Sequence, residues 1–276
     1  MRQSLCTITS NVEISAGVRL MWVEAPNIAI AAQPGQFITA RCEDFILRRP
    51  LSIHQVSPLS SPSMGEDLGE GEIALLFQVV GGGTAWLSQR QVGDKIDILG
   101  PLGKGFSIPS VIAKHEVPKQ SKNLLLVAGG IGIAPLTFLA QRVSPWHQVT
   151  LIHGASTAAQ IYPLSSLNKV RFIPVTEDGS TGEKGVVTDI LPDSLDWADQ
   201  IYACGPVDMY KAMATMSLRA ERSNLKKCQV SLEVRLGCGI GACYGCTIPT
   251  KKGLKKVCQD GPVFELDDIL WEEVRI

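Results

Sequence analysis

The chain has 276 residues, 45% hydrophobic and 19% charged, ordinary proportions for a globular protein of about two domains. Twenty-six basic residues against 27 acidic ones give a formal net charge of −1, so no bulk field recruits nucleic acid or an anionic membrane. No basic stripe with interleaved aromatics occurs, so no nucleic-acid partner is expected.

In chain order, MRQSLCTITSNVEI alternates polar and apolar residues, with no apolar signal core and no small-residue cleavage site. The runs VRLMWVEA, QFITARC, EIALLFQVV and KIDILG follow, separated by Gly, Pro and polar turns. Short strands at this spacing predict an antiparallel β-barrel over residues 1–110. Between two of them, SPLSSPSMGEDLGEG (Ser57–Gly71) is full of turn formers and reads as a hairpin insertion without chemistry of its own.

Residues 120–227 change character. NLLLVAG, QVTLIHGAS, VRFIPVTED and QIYACG are near-continuous apolar strands with helical stretches between several of them. That alternation predicts an α/β domain with a parallel sheet covered on both faces. Asn123–Ala140 runs 18 residues without a charge, close to a membrane span in length. Gly129, Gly130, Gly132 and Pro135 interrupt it, so it reads as strand, glycine turn and helix start, and no membrane association is expected. Val207–Lys227 reads as a helix with Met209, Met213 and Met216 packing into the core.

Residues 228–276 hold GCGIGACYGC (Gly237–Cys246). With Cys258, its thiols Cys238, Cys243 and Cys246 follow C-x4-C-x2-C-x11-C. The first two spacings are those of plant-type [2Fe–2S] ligation with a fourth cysteine downstream. Gly237, Gly239, Gly241 and Gly245 let the backbone bend around a cluster and turn amides toward the sulfurs. Zinc is the alternative, but zinc ribbons carry paired C-x2-C units and only one such pair occurs here. Four of the eight cysteines lie between Cys238 and Cys258 and no export signal precedes them, so metal binding and a cytoplasmic location are expected. Cys6, Cys42 and Cys228 have no spacing partner and read as small buried hydrophobes.

Other stretches suggest nucleotide chemistry. GGIGIAP (Gly129–Pro135) follows a strand and opens a helix, which is a phosphate-binding geometry, with a ligand-free packing turn as the alternative. Pro135 stands where the dinucleotide fingerprint has its third glycine or an alanine. Cys204, Gly205 and Pro206 end the last parallel strand, where open α/β sheets bind ligands, so the two turns could converge on one nucleotide. In RRPLSI (Arg48–Ile53), two arginines offer planar donors for a pyrophosphate, and the proline is expected to interrupt strand pairing. Gly81–Gly83 lead into a short helix with Thr84 near its N-cap, another anion-binding geometry.

Taken in this order, R-x-x-S at Arg49–Ser52, GGGT at Gly81–Thr84, GGIGIAP and CGP resemble the ferredoxin–NADP reductase family. VSLEVRLGCGIGACYGC (Val230–Cys246) and TEDGSTGEKGVVTD (Thr176–Asp189) narrow the resemblance to the electron transfer subunits of NAD-dependent dihydroorotate dehydrogenases. It covers nearly the whole chain. It implies a flavin-binding barrel (1–110), a nicotinamide-binding domain (120–227) and a [2Fe–2S] module (228–276), with FAD, a [2Fe–2S] cluster and NAD as cofactors.

Carried over by motif, Arg49 binds the FAD pyrophosphate, Pro50, Leu51 and Ser52 run beside the flavin ring, and Gly83 and Thr84 cap the FAD phosphates. Gly129, Gly130, Gly132, Cys204, Gly205 and Pro206 receive NAD, and Cys238, Cys243, Cys246 and Cys258 hold the cluster. Leu51 replaces the tyrosine that many plant-type reductases stack on the flavin. After QVTLIHGAS no basic residue appears before Lys169, which favours NAD over NADP, although the usual acidic ribose partner is not evident.

The implied partner is an FMN-containing dihydroorotate dehydrogenase catalytic subunit in a heterotetramer of pyrimidine biosynthesis. The same modules also serve hydrogenases and ferredoxin-dependent transhydrogenases. A non-catalytic, zinc-stabilised binding module is the reading from another class. No residue of this chain is expected to act as a general acid, base or nucleophile. His54, His115, His147 and His153 read as structural or surface residues, with His54 a candidate flavin contact.

Overall fold

The computed structural model describes residues 1–43, 45–57, 71–108, 121–163, 169–219 and 228–274. Six antiparallel strands close a barrel: β1 (Arg2–Ser15), β2 (Val18–Glu24), β3 (Phe37–Ala40), β4 (Arg49–Val56), β5 (Glu72–Gln78) and β6 (Lys95–Leu102), in the order β1-β2-β5-β4-β3-β6. Alternation puts Cys6, Ile8, Met21, Val23, Ile38, Ile53, Leu75 and Ile98 inside, all buried. A short helix α1 (Pro26–Ala31), which the sequence reading missed, buries Ile28 and Ala29 against the barrel core. A second, α2 (Gly82–Ser88), follows the glycine run as expected.

Contrary to expectation, Pro50 does not interrupt the barrel. It lies within β4 opposite Thr39, and the pairing of β4 with β5 begins only at Ile53. Proline is therefore placed where β5 asks no ladder hydrogen bond of it. Of the insertion at Ser57–Gly71, residues 58–70 lie outside the described residues, and its ends meet where Ser57 N–H donates to the Glu72 carbonyl at 3.0 Å.

The second unit is a sheet built from β7 (Asn123–Gly129), β8 (Gln148–Ala155), β9 (Val170–Thr176), β10 (Glu183–Lys184) and β11 (Gln200–Cys204), all parallel. The expected strand, turn and helix at Asn123–Ala140 is β7, a single 3-10 turn at Gly130–Gly132 and helix α3 (Ile133–Val143). Helices α4 (Val187–Ile190), α5 (Pro192–Leu195) and α6 (Val207–Arg219) complete this unit. The helix expected over Val207–Lys227 is described to Arg219, and Met209 and Met213 are buried in the core as expected.

The sheet does not end with that unit. β12 (Cys228–Ser231) adds parallel to β11, and β15 (Val263–Glu265) adds antiparallel to β12, giving the order β10-β9-β8-β7-β11-β12-β15. Between them the chain forms the cysteine loop, a hairpin of β13 (Thr247–Thr250) and β14 (Gly253–Lys256), and helix α7 (Val257–Asp260). One apolar cluster joins Phe37 and Leu102 of the barrel to Val127 and Ile201 of the sheet and to Cys246, Ile248 and Trp271 of the C-terminal segment. Among the described residues, no helix is long and apolar enough to cross a membrane.

At the seam of barrel and sheet, β4 packs on α3. His54 of β4 is fully buried, with Nδ1 3.0 Å from the Ala134 carbonyl and Nε2 2.8 Å from the Tyr162 hydroxyl. His153 of β8 is also buried, with Nε2 3.0 Å from the Gly130 carbonyl. Burial drives each imidazole down from 6.5 to about 4, against the upward pull of its carbonyl partner. Both rings are therefore neutral at pH 7.

The unfolded chain binds these two protons below pH 6.5 and the folded chain does not until about 4. The histidines' contribution is complete above pH 7 and declines from 6.5 toward 4, by roughly 1.4 kcal/mol per pH unit for each ring. Burial raises Glu233 and Glu265, which opposes this trend at its acid end. The direct measurement is therefore imidazole NMR titration: both histidines should remain neutral at pH 5.5, where an exposed histidine is mostly charged.

Candidate functional site

The cysteine loop turns its backbone inward. Seven N–H groups point at sulfur: Ile240, Ala242 and Cys243 toward Cys238 (3.5, 3.2 and 3.4 Å), Cys238 and Gly245 toward Cys243 (3.4 and 3.5 Å), Gly241 toward Cys258 (3.1 Å) and Cys258 toward Cys246 (3.5 Å). Gly241 makes its bond at φ +85°, a left-handed conformation that favours glycine. The Lys256 ammonium closes the turn by donating to the Gly241 carbonyl at 2.8 Å.

The four thiols fall into two pairs. Cys238 and Cys243 exchange amide-to-sulfur bonds, and the sulfurs of Cys246 and Cys258 lie 3.3 Å apart; all eight cysteines are free of disulfides. Among the described residues, no three His, Cys, Asp or Glu side chains are placed to hold a single metal ion. Zinc needs four ligands around one centre, whereas two pairs of thiolates suit a cluster with two irons.

The electrostatics point the same way. Burial works upward on Cys238, but the amides of Ile240, Cys243 and Ala242 outweigh it and bring the thiol down to about 6. Cys258 is pushed up to about 12 by burial and by the adjacent Cys246 sulfur. Four thiolates this close require a bound cation to ionise together. The residues present thus fit a [2Fe–2S] cluster.

A second constellation lies on the barrel. The Arg49 guanidinium stacks 4.8 Å above the Phe45 ring and donates to the Leu47 carbonyl at 2.6 Å. Its shaft lies across the first turn of α2, where a Cβ on Gly83 would lie 2.2 Å from Nε. Thr84 is engaged locally: its Oγ1 accepts from the Val80 and Gly81 amides (3.0 and 3.2 Å) and donates to the Gly81 carbonyl (3.0 Å). It shapes the turn, and helix geometry leaves the first-turn amides of α2 without intrahelical partners.

Leu51 faces the barrel core, while Pro50 and Ser52 face outward opposite Thr39 and Phe37. Arg48 is committed elsewhere, to an ion pair with Asp97 at 2.6 Å. His54 is not a flavin contact, because it is fully buried with both ring nitrogens bonded within the protein.

The third constellation joins the two turns of the α/β unit. A Cβ on Gly132 would lie 2.1 Å from the Cys204 carbonyl, and one on Gly129 would lie 2.7 Å from Pro206. Gly129, Gly130 and Gly132 thus meet Cys204, Gly205 and Pro206 at the carboxyl ends of neighbouring strands β7 and β11, where the strand order reverses. Tyr210 secures the second turn, accepting from the Gly205 amide at 2.8 Å and donating to the Ser231 carbonyl at 2.7 Å, with its ring stacked on Trp271. Cys204 is buried, and burial, aided by the charge of Glu233, pushes its thiol up to about 12. It is no nucleophile at neutral pH.

These constellations adjoin. In the cysteine loop, a Cβ on Gly239 would lie 3.1 Å from Thr39 Cγ2, and Thr39 pairs with Pro50 of β4. Thr39 Oγ1 is buried without a hydrogen-bond partner among the described residues. Thr39, Phe45, Tyr162 and Tyr210 escaped the sequence reading, since a lone Thr or aromatic residue in an apolar run carries no motif.

Comparison with known proteins agrees with this geometry. Residues 233–270 match the iron–sulfur cluster binding domain of dihydroorotate dehydrogenase B, and residues 126–215 match the oxidoreductase NAD-binding domain. Among similar curated proteins is the dihydroorotate dehydrogenase B (NAD(+)) electron transfer subunit of Desulforamulus reducens, 39% identical, with 91% of this chain and 92% of that protein covered. The same subunit of Shouchella clausii is 34% identical, with 98% of each covered.

Among solved structures, one of an NADH-dependent reduced ferredoxin-NADP oxidoreductase superposes with a TM-score of 0.78 at 29% identity, covering 98% of this chain and 91% of that one. A Neisseria gonorrhoeae ferredoxin NADP+ reductase with bound FAD and NADP shares the fold, with a TM-score of 0.61 at 16% identity, covering 83% of this chain and 98% of that one. An NAD-binding oxidoreductase unit joined to an iron–sulfur module is what these similarities have in common with the geometry above. The chain belongs to the family of dihydroorotate dehydrogenase B (NAD(+)) electron transfer subunits.

Proposed function

We propose that this chain carries electrons from a partner flavoprotein, the FMN-containing catalytic subunit of a dihydroorotate dehydrogenase, through a [2Fe–2S] cluster and FAD to NAD+. The setting is pyrimidine biosynthesis in a heterotetramer. The observation that carries this reading is the contact of the cysteine loop with Thr39, one strand from the residues that match the flavin motif. The chain's three units, 1–110, 120–227 and 228–276, then serve FAD, NAD and the cluster respectively.

Flavin, when bound, exchanges a hydride with nicotinamide and single electrons with an iron–sulfur cluster. The protein's own residues bind, orient and tune. Arg49 supplies a fixed charge at the first turn of α2, where the Gly82 and Gly83 amides complete an anion site for the FAD pyrophosphate. Ser52 and Pro50 line the outer face of β4 toward the flavin ring, with Leu51 packed behind them in the barrel core.

Gly129, Gly130, Gly132 and the Cys204–Pro206 turn form the floor for NAD. Preference for NAD is supported by Glu177 at the end of β9, which holds the Ser156 hydroxyl at 2.8 Å and would repel an added phosphate. Cys238, Cys243, Cys246 and Cys258 ligate the cluster, and the seven amides on their sulfurs stabilise its added negative charge on reduction.

Dihydroorotate oxidation is assigned to the partner, since the relatives this chain matches are named as the electron transfer subunit. Ile240, Tyr244 and Leu254 stand exposed in or near the cysteine loop, which supports a partner seated there. A second reading has a specific observation in its favour. The overlap with the ferredoxin-NADP oxidoreductase structure supports a place in a transhydrogenase-type complex. Co-purification with an FMN barrel, as opposed to a second large flavoprotein, decides between them.

The isolated, cofactor-loaded chain should reduce dyes with NADH and form no orotate from dihydroorotate; substantial orotate formation contradicts the assignment. Serine at any one of Cys238, Cys243, Cys246 or Cys258 should lower iron and acid-labile sulfide and bleach the visible spectrum. Serine at Cys6, Cys42 or Cys228 should leave both unchanged. Arg49→Ala and Gly83→Ala should each weaken FAD binding by about tenfold to a hundredfold, as charge-assisted phosphate bonds are lost. Flavin fluorescence during dilution measures that loss, with the iron content unaltered.

A further inference from the structure

At the seam of barrel and sheet, two hydrogen-bonded segments meet at Tyr162, whose hydroxyl serves one and whose backbone N–H serves the other. His54 Nδ1–H donates to the Ala134 carbonyl (3.0 Å), and the Tyr162 hydroxyl donates to His54 Nε2 (2.8 Å). The backbone N–H of Tyr162 donates to His153 Nδ1 (3.3 Å), and His153 Nε2–H donates to the Gly130 carbonyl (3.0 Å). Each imidazole accepts at one nitrogen and donates at the other, as a neutral ring does. His54 and His153 are fully or almost fully buried and Tyr162 is 8% exposed, so both segments are closed to water.

Their outer ends are what make them informative. One end is on β4, where His54 shares a strand face with Ser52 two residues earlier. The other is the Gly130–Ile131 peptide of the glycine turn. A trans peptide directs its carbonyl and its following N–H oppositely. With the Gly130 carbonyl held by His153, the Ile131 amide is turned away from it, in a turn where a Cβ on Gly130 would meet nothing within 4 Å. At the β4 end, His54 also grips the first turn of α3 through the Ala134 carbonyl.

We propose that His54, Tyr162 and His153 are positioning residues for hydride transfer. His153 aims a backbone amide at the dinucleotide, and the His54–Tyr162 link fixes the span between the flavin strand and the nicotinamide turn. This rests on the flavin and NAD assignments made above. Hydride transfer needs reacting atoms about 3–3.5 Å apart, and a misplacement of about 1 Å costs on the order of a hundredfold in rate. A link that holds barrel to turn is therefore worth more to rate than to affinity.

The test uses the full chain loaded with FAD and cluster. Tyr162→Phe keeps the ring and the amide bond to His153 and removes only the bond to His54. It should lower the limiting rate of flavin reduction by NADH about tenfold in stopped flow and leave the NADH Kd within about twofold. His153→Asn should do the reverse, raising the NADH Kd about tenfold by fluorescence titration with a smaller effect on the limiting rate. His54→Gln, read by the same two quantities, should follow Tyr162→Phe and stands in for it if that variant loses flavin.

An unchanged limiting rate in Tyr162→Phe and His54→Gln overturns the proposal. So does an equal loss of rate and affinity in all three variants, which is what general loosening of the seam would give. Failure of the unsubstituted chain to pass electrons from NADH to FAD would instead defeat the function assigned above.

Discussion

A loop whose amides are committed to sulfur cannot brace itself by ordinary backbone pairing. Between Cys238 and Cys246, N–H groups that elsewhere would build a strand or helix point at thiols. Every unpaired backbone group carries a cost when buried, so support must come from outside the loop. It comes from three sides here: β3 of the barrel at Thr39, the β13–β14 hairpin with its Lys256 clasp, and the sheet through β12 and β15. The architecture of the C-terminal third follows from that need.

The α/β unit meets a different constraint, close approach. Its two glycine turns touch because β7 and β11 are hydrogen-bonded neighbours running in the same direction, which brings their carboxyl ends together. Tyr210 then ties the Gly205 amide to β12 and stacks on Trp271, so the CGP turn and the cysteine module share a buried aromatic pair. Aromatic pairs of this kind add on the order of 1 kcal/mol beyond their area. They also fix one turn relative to the next module, which matters more for electron passage than the stabilisation does.

What the sequence revealed and what it concealed divides along a physical line. Motifs set by ligand chemistry were legible: the cysteine spacing, the glycine turn before α3 and the CGP turn all occupy the places their patterns imply. So were the near-continuous apolar strands, since burial on both faces leaves no alternation. Features that depend on tertiary partners were not. Pro50 reads as a strand breaker, yet the pairing of β4 with β5 starts three residues later. His54 reads as a structural or surface residue with a flavin contact as a candidate, and only the fold shows α3 and Tyr162 covering it. The extension of the parallel sheet by Cys228–Ser231 was equally hidden, because four residues carry too little pattern to announce a strand.

That shared sheet has a mechanical meaning. Many redox systems tether a carrier domain on a flexible arm and let it swing between donor and acceptor. Here the iron–sulfur module is sewn into the same β-structure as the nicotinamide unit, through β12 beside β11 and β15 beyond it. Swinging would require tearing ladder hydrogen bonds and opening the apolar cluster common to all three units. The protein behaves as fixed wiring, so any gating of the current must be done by the arrival and departure of molecules at its two ends.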